Sequence, residues 1–283
     1  MRAGLGWIMM RHRLTFLLLL AAMWPGQPAW SAPACSQHFA GGQAPTLLNP
    51  RLVSGSRALC FQAFAVLHSA ATRTPLYSAE HLTAAGLSNA RGLPREGEFH
   101  PEDALPEGQR AELRDYARSG FDRGHMSPSG DMPTPEAQQE SFSLANMVPQ
   151  APKLNRGLWE GIESAVRKLA ERQGELYVVT GPIFQGTQLQ QVGDVIVPTH
   201  VFKAVLDPHR GLAAAYVAKN VDDAPWVPIS MSQLADLTGL DVFPALPGPA
   251  KSSMLRLPTP TPHGYQSRRT ARNSPRNGQG SVP

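Results

Sequence analysis

The sequence predicts an α+β domain built around a central, mainly antiparallel β-sheet. Three observations carry that expectation. Apolar runs at 58–68, 74–82, 175–184, 194–207 and 211–220 have the length and composition of strands. One long amphipathic stretch, Asn155 to Arg172, reads as a helix closed by Gly174. No internal repeat is visible, and strands with a few inserted helices fit a mixed fold.

In chain order, the first segment, 1–34, reads as a targeting signal. Arg11, His12 and Arg13 precede the apolar run Leu14 to Met23, and small residues follow from Ala29 to Ala34. This is the pattern of a secretory signal peptide cut near Ser31, Ala32 or Ala34, with Met9 or Met10 as alternative starts. The apolar run is short for a membrane span. "APAC" before Cys35 lacks the Leu-type residue of a lipoprotein site, so no membrane anchor is expected after cleavage. The expected location is periplasmic or secreted. In such an oxidising compartment the only two cysteines, Cys35 and Cys60, are expected to form a disulfide.

The domain is expected at 35–250. "ALCFQAFAVLH" (58–68) reads as one strand, and "TPLYSAEHL" (74–82) as its neighbour across a turn at Ala71 to Arg73. Residues 84–106 are rich in Gly and Pro and read as loop, and 107–119 as a helix. "FDRGHM" reads as a short extended segment. Thr134 and Pro135 form an N-cap and first-turn proline for a short helix. "SFSLANMV" (141–148) reads as strand or extended return. The strands at 194–207 and 211–220 form an expected hairpin, and 230–240 a short helix.

From 251 to 283 Pro, Ser, Arg, Gly and Asn dominate, and the segment is expected to be a disordered basic tail. Formal net charge is +4, with 26 Lys plus Arg against 22 Asp plus Glu. Three basic residues lie in 1–32 and six in 251–283, with no acids in either. The domain is left with 17 basic residues against the 22 acids. A globally basic nucleic-acid binder is therefore excluded, and any phosphate binding needs a local basic cleft. The tail reads either as a weak, salt-sensitive attraction for polyanions or as a solvated leftover.

The chemistry concentrates in "FDRGHMSPSGDM" (121–132). His125 has the pKa to accept a proton near neutrality. Arg123 supplies a charge-assisted contact for phosphate. The Gly between them lets backbone approach a ligand. Asp122 could hold Arg123 or cap local backbone. On a helical wheel Asn155 falls on the face shared by Leu158, Ile162, Val166 and Leu169, so it points inward and needs partners. Taken alone it reads rather as an N-cap or as a structural hydrogen bond to a loop. Glu163 lies two turns on, about 12 Å along the axis, at the edge of that face. It reads as a site residue or as a surface partner of Arg167 at i+4.

These segments carry a resemblance. "DRGHMSPSGDM", "SFSLANMVPQAPKLNRGLWEGIE" and "YVVTGPIF", in that order, resemble the DNA/RNA non-specific endonuclease family with its ββα-metal (His-Me finger) motif. "RTPLYSAEHL", "VPTHVFKAV" and "SQLADLTGLDVFP" extend the likeness from about Cys60 to Pro244. The resemblance implies an exported, Mg²⁺-dependent, sugar-non-specific endonuclease, with Mn²⁺ as a substitute ion and DNA and RNA as substrates. His125 would be the general base, and Asn155 the single protein ligand of the metal. Glu163 would orient water on that ion. Arg123 and an upstream arginine, Arg95 with Arg91 as rival, would contact the phosphate. Asn146 and Gln150 match polar positions lining the site and would bind substrate.

Two other classes compete: a non-catalytic binding module on the same scaffold, and a phosphodiesterase for another exported substrate. The first would lack His125 or Asn155, and both are present. The second has no lipid-binding stripe or second metal cluster in its favour. Oligomeric state and any inhibitor protein are not legible in the sequence.

Overall fold

The computed structural model describes Met1 and residues 35–263. The expected signal segment beyond Met1, and the tail from residue 264, lie outside the described residues. In chain order the strands longer than two residues are β1 (Ser56–Cys60), β2 (Phe64–Ser69), β3 (Thr74–Thr83), β4 (Asp122–His125), β5 (Met147–Gln150), β6 (Glu175–Ile183), β7 (His200–Asp207), β8 (Leu212–Lys219) and β9 (Trp226–Ile229). The main helices are α1 (Ala84–Arg91), α2 (Pro135–Ser141), α3 (Glu160–Gln173) and α4 (Met231–Thr238).

Seven strands form one sheet in the order β9-β8-β7-β6-β3-β2-β1, and every neighbouring pair is antiparallel. The expected α+β architecture is therefore the observed one. Because side chains alternate across a strand, β7 sends Phe202, Ala204 and Leu206 to one face and Val201, Lys203 and Val205 to the other. The first row packs with Met231 and Leu234 of α4 and with Phe39 and Phe243. On the second face, Val201 and Val205 pack with Trp159 and with Ile162, Val166 and Leu169 of α3. Lys203 is the exception in that row, with 1 % of its surface exposed.

The hairpin β4–β5 stands apart from the sheet, its strands pairing only with each other, from Asp122↔Gln150 to His125↔Met147. The chain then enters a π-helical turn, Leu154–Trp159, which runs into α3. Two strands followed by a helix give the ββα unit that carries the candidate residues.

Several expected elements differ. The strand expected at 58–68 is two strands, turned at Phe61–Ala63, where the Phe61 N–H donates to the Phe64 carbonyl. Residues 84–91, expected as loop, form α1, because the Thr83 hydroxyl caps it by accepting from the Gly86 N–H at 3.0 Å. The helix expected at 107–119 shrinks to single turns at Glu107–Gln109 and Leu113–Tyr116. Arg110 lies between them, its guanidinium held by the Glu102 carbonyl and the Glu112 carboxylate, and Arg118 takes a left-handed backbone at φ 57°. The strand expected from 194 begins only at His200, because Val195–Ile196 folds back on Gln191–Val192. Thr134 and Pro135 start α2 as expected.

The packed domain also runs past the boundary expected at 250. Leu255 is buried, and the Tyr216 hydroxyl donates to the Pro258 carbonyl at 2.7 Å. Leu255 and Leu257 supply an apolar foothold on the α3-side core that the Pro-rich composition conceals. No described helix is long and apolar enough to cross a membrane.

Cys35 and Cys60 form the expected disulfide, with 5.9 Å between Cα atoms. It ties the start of the described chain to β1. Its closed loop of sequence separation 25 implies a contribution of about 3 kcal/mol through the unfolded state. A Cys35→Ser/Cys60→Ser protein is expected to lose that amount in urea unfolding relative to the oxidised parent, and equal midpoints would show the bridge to be energetically idle.

Candidate active site

A cavity of about 370 Å³ opens between the hairpin and the helix. Arg95, Arg123, His125, Asn155, Glu163 and Arg167 all line it. Five of these were singled out from the sequence, and they come from three separate segments.

His125 ends β4, where its backbone pairs with Met147. The ring packs edge-on against Phe142, at 5.1 Å between centroids, and tilts against Phe99 at 5.7 Å. Only 8 % of the residue is exposed, and its Nε2 is buried without a hydrogen-bond partner. Burial pushes its pKa down to about 3, and the nearby Arg95 charge adds to the shift. The imidazole is therefore neutral at neutral pH, as a proton acceptor must be. Gly124, one residue earlier, is required by packing: a Cβ there would stand 2.0 Å from the Gln150 Oε1.

Arg123 lays its guanidinium over Phe99, 4.1 Å from the ring centroid. Arg95 reaches the cavity beside Phe142, with its charge centre 6.0 Å from that ring. Arg91 points elsewhere: it is exposed and paired with Glu171. Of the two rivals, only Arg95 lines the cavity.

Asp122 does neither of the jobs the sequence suggested for it. Its Oδ2 accepts from the Asn155 Nδ2 at 3.0 Å and from the Arg156 Nε at 2.7 Å, and its Oδ1 accepts from the Arg156 Nη2 at 2.6 Å. Burial alone would raise the Asp122 pKa, but the Arg156 and Asn155 hydrogen bonds outweigh it and hold the group below its usual value. With the amide nitrogen so occupied, the carbonyl oxygen of Asn155 is its remaining free end, a hard donor at the cavity wall.

Glu163 and Asn155 share this wall although regular helical spacing separates them. The π-helical turn at Leu154–Trp159 explains it. A wider turn uses more residues per revolution, which alters the facing of everything before it relative to α3. Burial pushes the Glu163 pKa up to about 7, opposed by the positive charges of Lys203 and Arg167. Arg167 donates to the Asp131 Oδ1 at 2.7 Å. It is thus held toward the 3₁₀ turn Ser129–Asp131 rather than serving as a surface partner of Glu163.

Asn146 and Gln150 differ from expectation. Both are fully buried and neither lines the cavity. Asn146 braces the segment after His125: its Oδ1 accepts from the Ser127 N–H at 3.0 Å, and its Nδ2 donates to the Ser127 and Ser141 carbonyls. Gln150 packs under Gly124. The Asn146 amide braces the wall, whereas the Gln150 amide is buried without a hydrogen-bond partner.

The sequence reading missed the charges beneath the floor. The Lys203 Nζ donates to the Met126 carbonyl at 3.2 Å and to the Thr180 Oγ1 at 2.7 Å, and lies 3.9 Å from the Glu80 Oε1. Glu80 is buried and its pKa is raised well above the usual value by burial and then by Asp131. The available signal was a lone Lys in the middle of the apolar run "HVFKAVLD", which a buried strand tolerates only when the charge is partnered.

The comparisons with known proteins agree with this geometry. The family description "DNA/RNA non-specific endonuclease" matches residues 43–248. The chain is 34 % identical over 203 residues to "Nuclease 1, mitochondrial" of Schizosaccharomyces pombe, covering 62 % of this chain and 62 % of that one. It is 31 % identical over 208 residues to "Endonuclease G, mitochondrial" of Caenorhabditis elegans, covering 66 % and 68 %. A solved structure described as an EndoG/EndoGI complex, concerned with EndoG inhibition, superposes with a TM-score of 0.61 at 26 % identity, covering 66 % of this chain and 87 % of that one. The chain therefore spans about three fifths of the fission-yeast relative's length. Both named relatives are mitochondrial, which overturns the periplasmic or secreted location expected from residues 1–34.

The burial of His125 has a consequence for stability. Its folded-state pKa, about 3, lies below the unfolded value near 6.5. The neutral ring's contribution is full above pH 6.5 and is lost as pH falls toward 3. On moving from pH 7 to pH 4, His125→Asn should lose roughly 3 kcal/mol less unfolding free energy than the parent. Parallel losses in urea titrations at the two pH values would refute the desolvated ring.

Proposed function

Because this chain belongs to the DNA/RNA non-specific endonuclease family, we propose that it is a divalent-metal-dependent endonuclease. It would hydrolyse phosphodiester bonds of DNA and RNA and leave 5′-phosphates. The observation that carries the reading is one cavity bounded by a neutral buried imidazole, an amide tied off at its nitrogen end, and four guanidinium groups.

The donor set fits a hard cation. The Asn155 carbonyl and the Glu163 carboxylate offer oxygen only, and among the described residues no group of three His, Cys, Asp or Glu is arranged as a metal cage. An ion held through one amide oxygen must complete its shell with water and substrate phosphate, which suits Mg²⁺, with Mn²⁺ as a substitute. When bound, the ion would polarise a phosphate oxygen and offset charge on the leaving 3′ oxygen.

The protein's own groups supply the rest. His125 accepts a proton from the attacking water, because its ring is neutral and lines the cavity. Arg123 and Arg95 pair with the phosphate and stabilise the charge that builds on it. Asp122 holds the Asn155 amide in one orientation. Glu163, when ionised, accepts hydrogen bonds from cavity water and orients it. None of these roles uses a ribose 2′-hydroxyl, so both polymers are substrates. Contacts confined to the backbone carry little sequence information.

His125→Ala should reduce plasmid and RNA cleavage by about 10²–10⁴-fold with the native circular dichroism spectrum retained, and near-parental turnover would sink the base assignment. Asn155→Ala should raise the Mg²⁺ concentration for half-maximal activity severalfold, and EDTA should abolish activity. A metal titration that superimposes on the parent's would remove Asn155 from the metal site.

A further inference from the structure

The outer face of α3 forms one wall of a groove of about 350 Å³. The other wall is a strap of chain, Met254 to His263, beyond the family-matched residues 43–248. The strap is docked on the fold. Met254 bridges to Ala213, the Leu255 N–H donates to the Ala213 carbonyl at 3.1 Å, and the Tyr216 hydroxyl holds the Pro258 carbonyl. It crosses α3 at Gly161, where a Cβ would stand 2.5 Å from the Thr261 carbonyl oxygen, so only glycine permits the crossing. At His263 the backbone N–H donates to the Gly157 carbonyl at 3.1 Å, and Nδ1 lies 3.2 Å from the Glu160 Oε1. His263 lines the groove and Glu160 lines the catalytic cavity, so the two spaces meet at this pair.

The groove is one-sided in charge. Ser164, Lys168 and Arg172 line it from α3, Thr259 and Thr261 line it from the strap, and no acid does. Lys168 and Arg172 are exposed, and neither has an ion-pair or hydrogen-bond partner among the described residues. Glu171, the acid beside Arg172, is taken by Arg91. An exposed helix face gains from opposite charges four residues apart and loses from like ones. The helix dipole favours Arg172 in the last turn, but Lys168 stands a turn earlier. Two unpaired cations are thus held side by side in a net acidic domain, at the place where a strap supplies hydroxyls opposite them.

We propose that this groove is a phosphate-binding track that takes the nucleic-acid backbone onward from the scissile bond. Glu160, Ser164, Lys168 and Arg172 form one i, i+4 row that starts at the cavity rim. At 1.5 Å per residue the row is about 18 Å long, or about five steps of one duplex strand at roughly 3.4 Å each. Ammonium and guanidinium groups pair with phosphate without reading sequence. That the polyanion is a nucleic acid rests on the proposed nuclease function, whereas the groove and its unpaired charges do not.

The test compares the parent, Lys168→Gln/Arg172→Gln, and a charge-matched control, Arg51→Gln/Arg57→Gln, whose exposed side chains line no part of the groove. Binding of a fluorescein-labelled 30-base-pair duplex is measured by anisotropy in EDTA from 50 to 200 mM salt. Cleavage with Mg²⁺ is measured on the duplex and on a trinucleotide, whose single flanking phosphate falls short of Lys168. The groove variant should bind the duplex about tenfold or more weakly at low salt, with a slope of log K against log salt shallower by about 2. Its KM should rise on the duplex and not on the trinucleotide, with kcat within about twofold of the parent's on both. The control should keep nearly the parental slope. An unchanged slope in the groove variant overturns the track. So does an equal loss in the control, which would show net charge alone at work. A loss on the trinucleotide as large as that on the duplex also overturns it, because the damage would then lie in the catalytic cavity. Groove-dependent binding to phosphatidylserine vesicles with no difference on DNA overturns it in favour of a lipid surface. A slope difference without cleavage by any of the three proteins would remove the nuclease reading and leave the track standing.

Discussion

The hydrogen bonds that Asp122 accepts from Asn155 and Arg156 join the two halves of the site. Asp122 opens the strand that ends in His125, and Asn155 sits in the π-helical turn that leads into α3. One carboxylate therefore fixes the spacing between the imidazole and the amide. It is a charge-assisted contact on both sides, stronger than neutral hydrogen bonds. Arg156 completes it with two donors, so the carboxylate is neutralised while remaining bound to the Asn155 amide. The π-helical turn belongs to the same constraint. It sets the first-turn residues to reach Asp122 while α3 keeps Ile162, Val166 and Leu169 on the core.

Beneath that junction the structure accepts costly burial. Lys203 and Glu80 sit in the centre of the sheet, both almost wholly removed from water. Such a pair is poor value for stability compared with apolar residues of the same shape. Its position accounts for it. Lys203 holds the carbonyl of Met126, the residue after His125, and ties it to Thr180 on β6. The hairpin does not pair with the sheet, so side-chain hydrogen bonds register it against the core: Lys203 to the Met126 carbonyl, Ser78 with Ser127, and Asn220 to the Pro149 carbonyl.

Elements whose local signals agreed with their packing were legible in the sequence. The α3 stretch combines an apolar face, Ile162 to Leu169, with a glycine stop, and it forms as expected. Where local and tertiary preferences disagree, the tertiary ones win. "EGQRAELRDYARS" has good helix formers, but Ala111 and Tyr116 are drawn into a small core with Val192 and Val195, and Asp115 is spent on the Glu112 N–H and the Asp194 N–H. The site was legible through DRGH and the Asn155–Glu163 spacing. Asn146 and Gln150 were read as facing the substrate because a sequence pattern marks that a polar residue matters without marking the side of the wall on which it acts. Lys203 and Arg167 became intelligible only when β3, β7 and α3 were brought together.

Burial pushes the two titratable groups of the cavity in opposite directions, and this separates their roles. The same desolvation that takes His125 down to about 3 takes Glu163 up to about 7, because in each case it disfavours the charged form. His125 is therefore neutral over the whole neutral range, the state the proposed general base requires. Glu163 straddles neutrality, held partly ionised by Lys203 and Arg167. A cation seated on Asn155 would add positive charge to the same cavity and favour the ionised carboxylate further. In the proposed mechanism, cation binding and Glu163 ionisation are thus coupled, while the neutral state of His125 follows from its burial against Phe99 and Phe142.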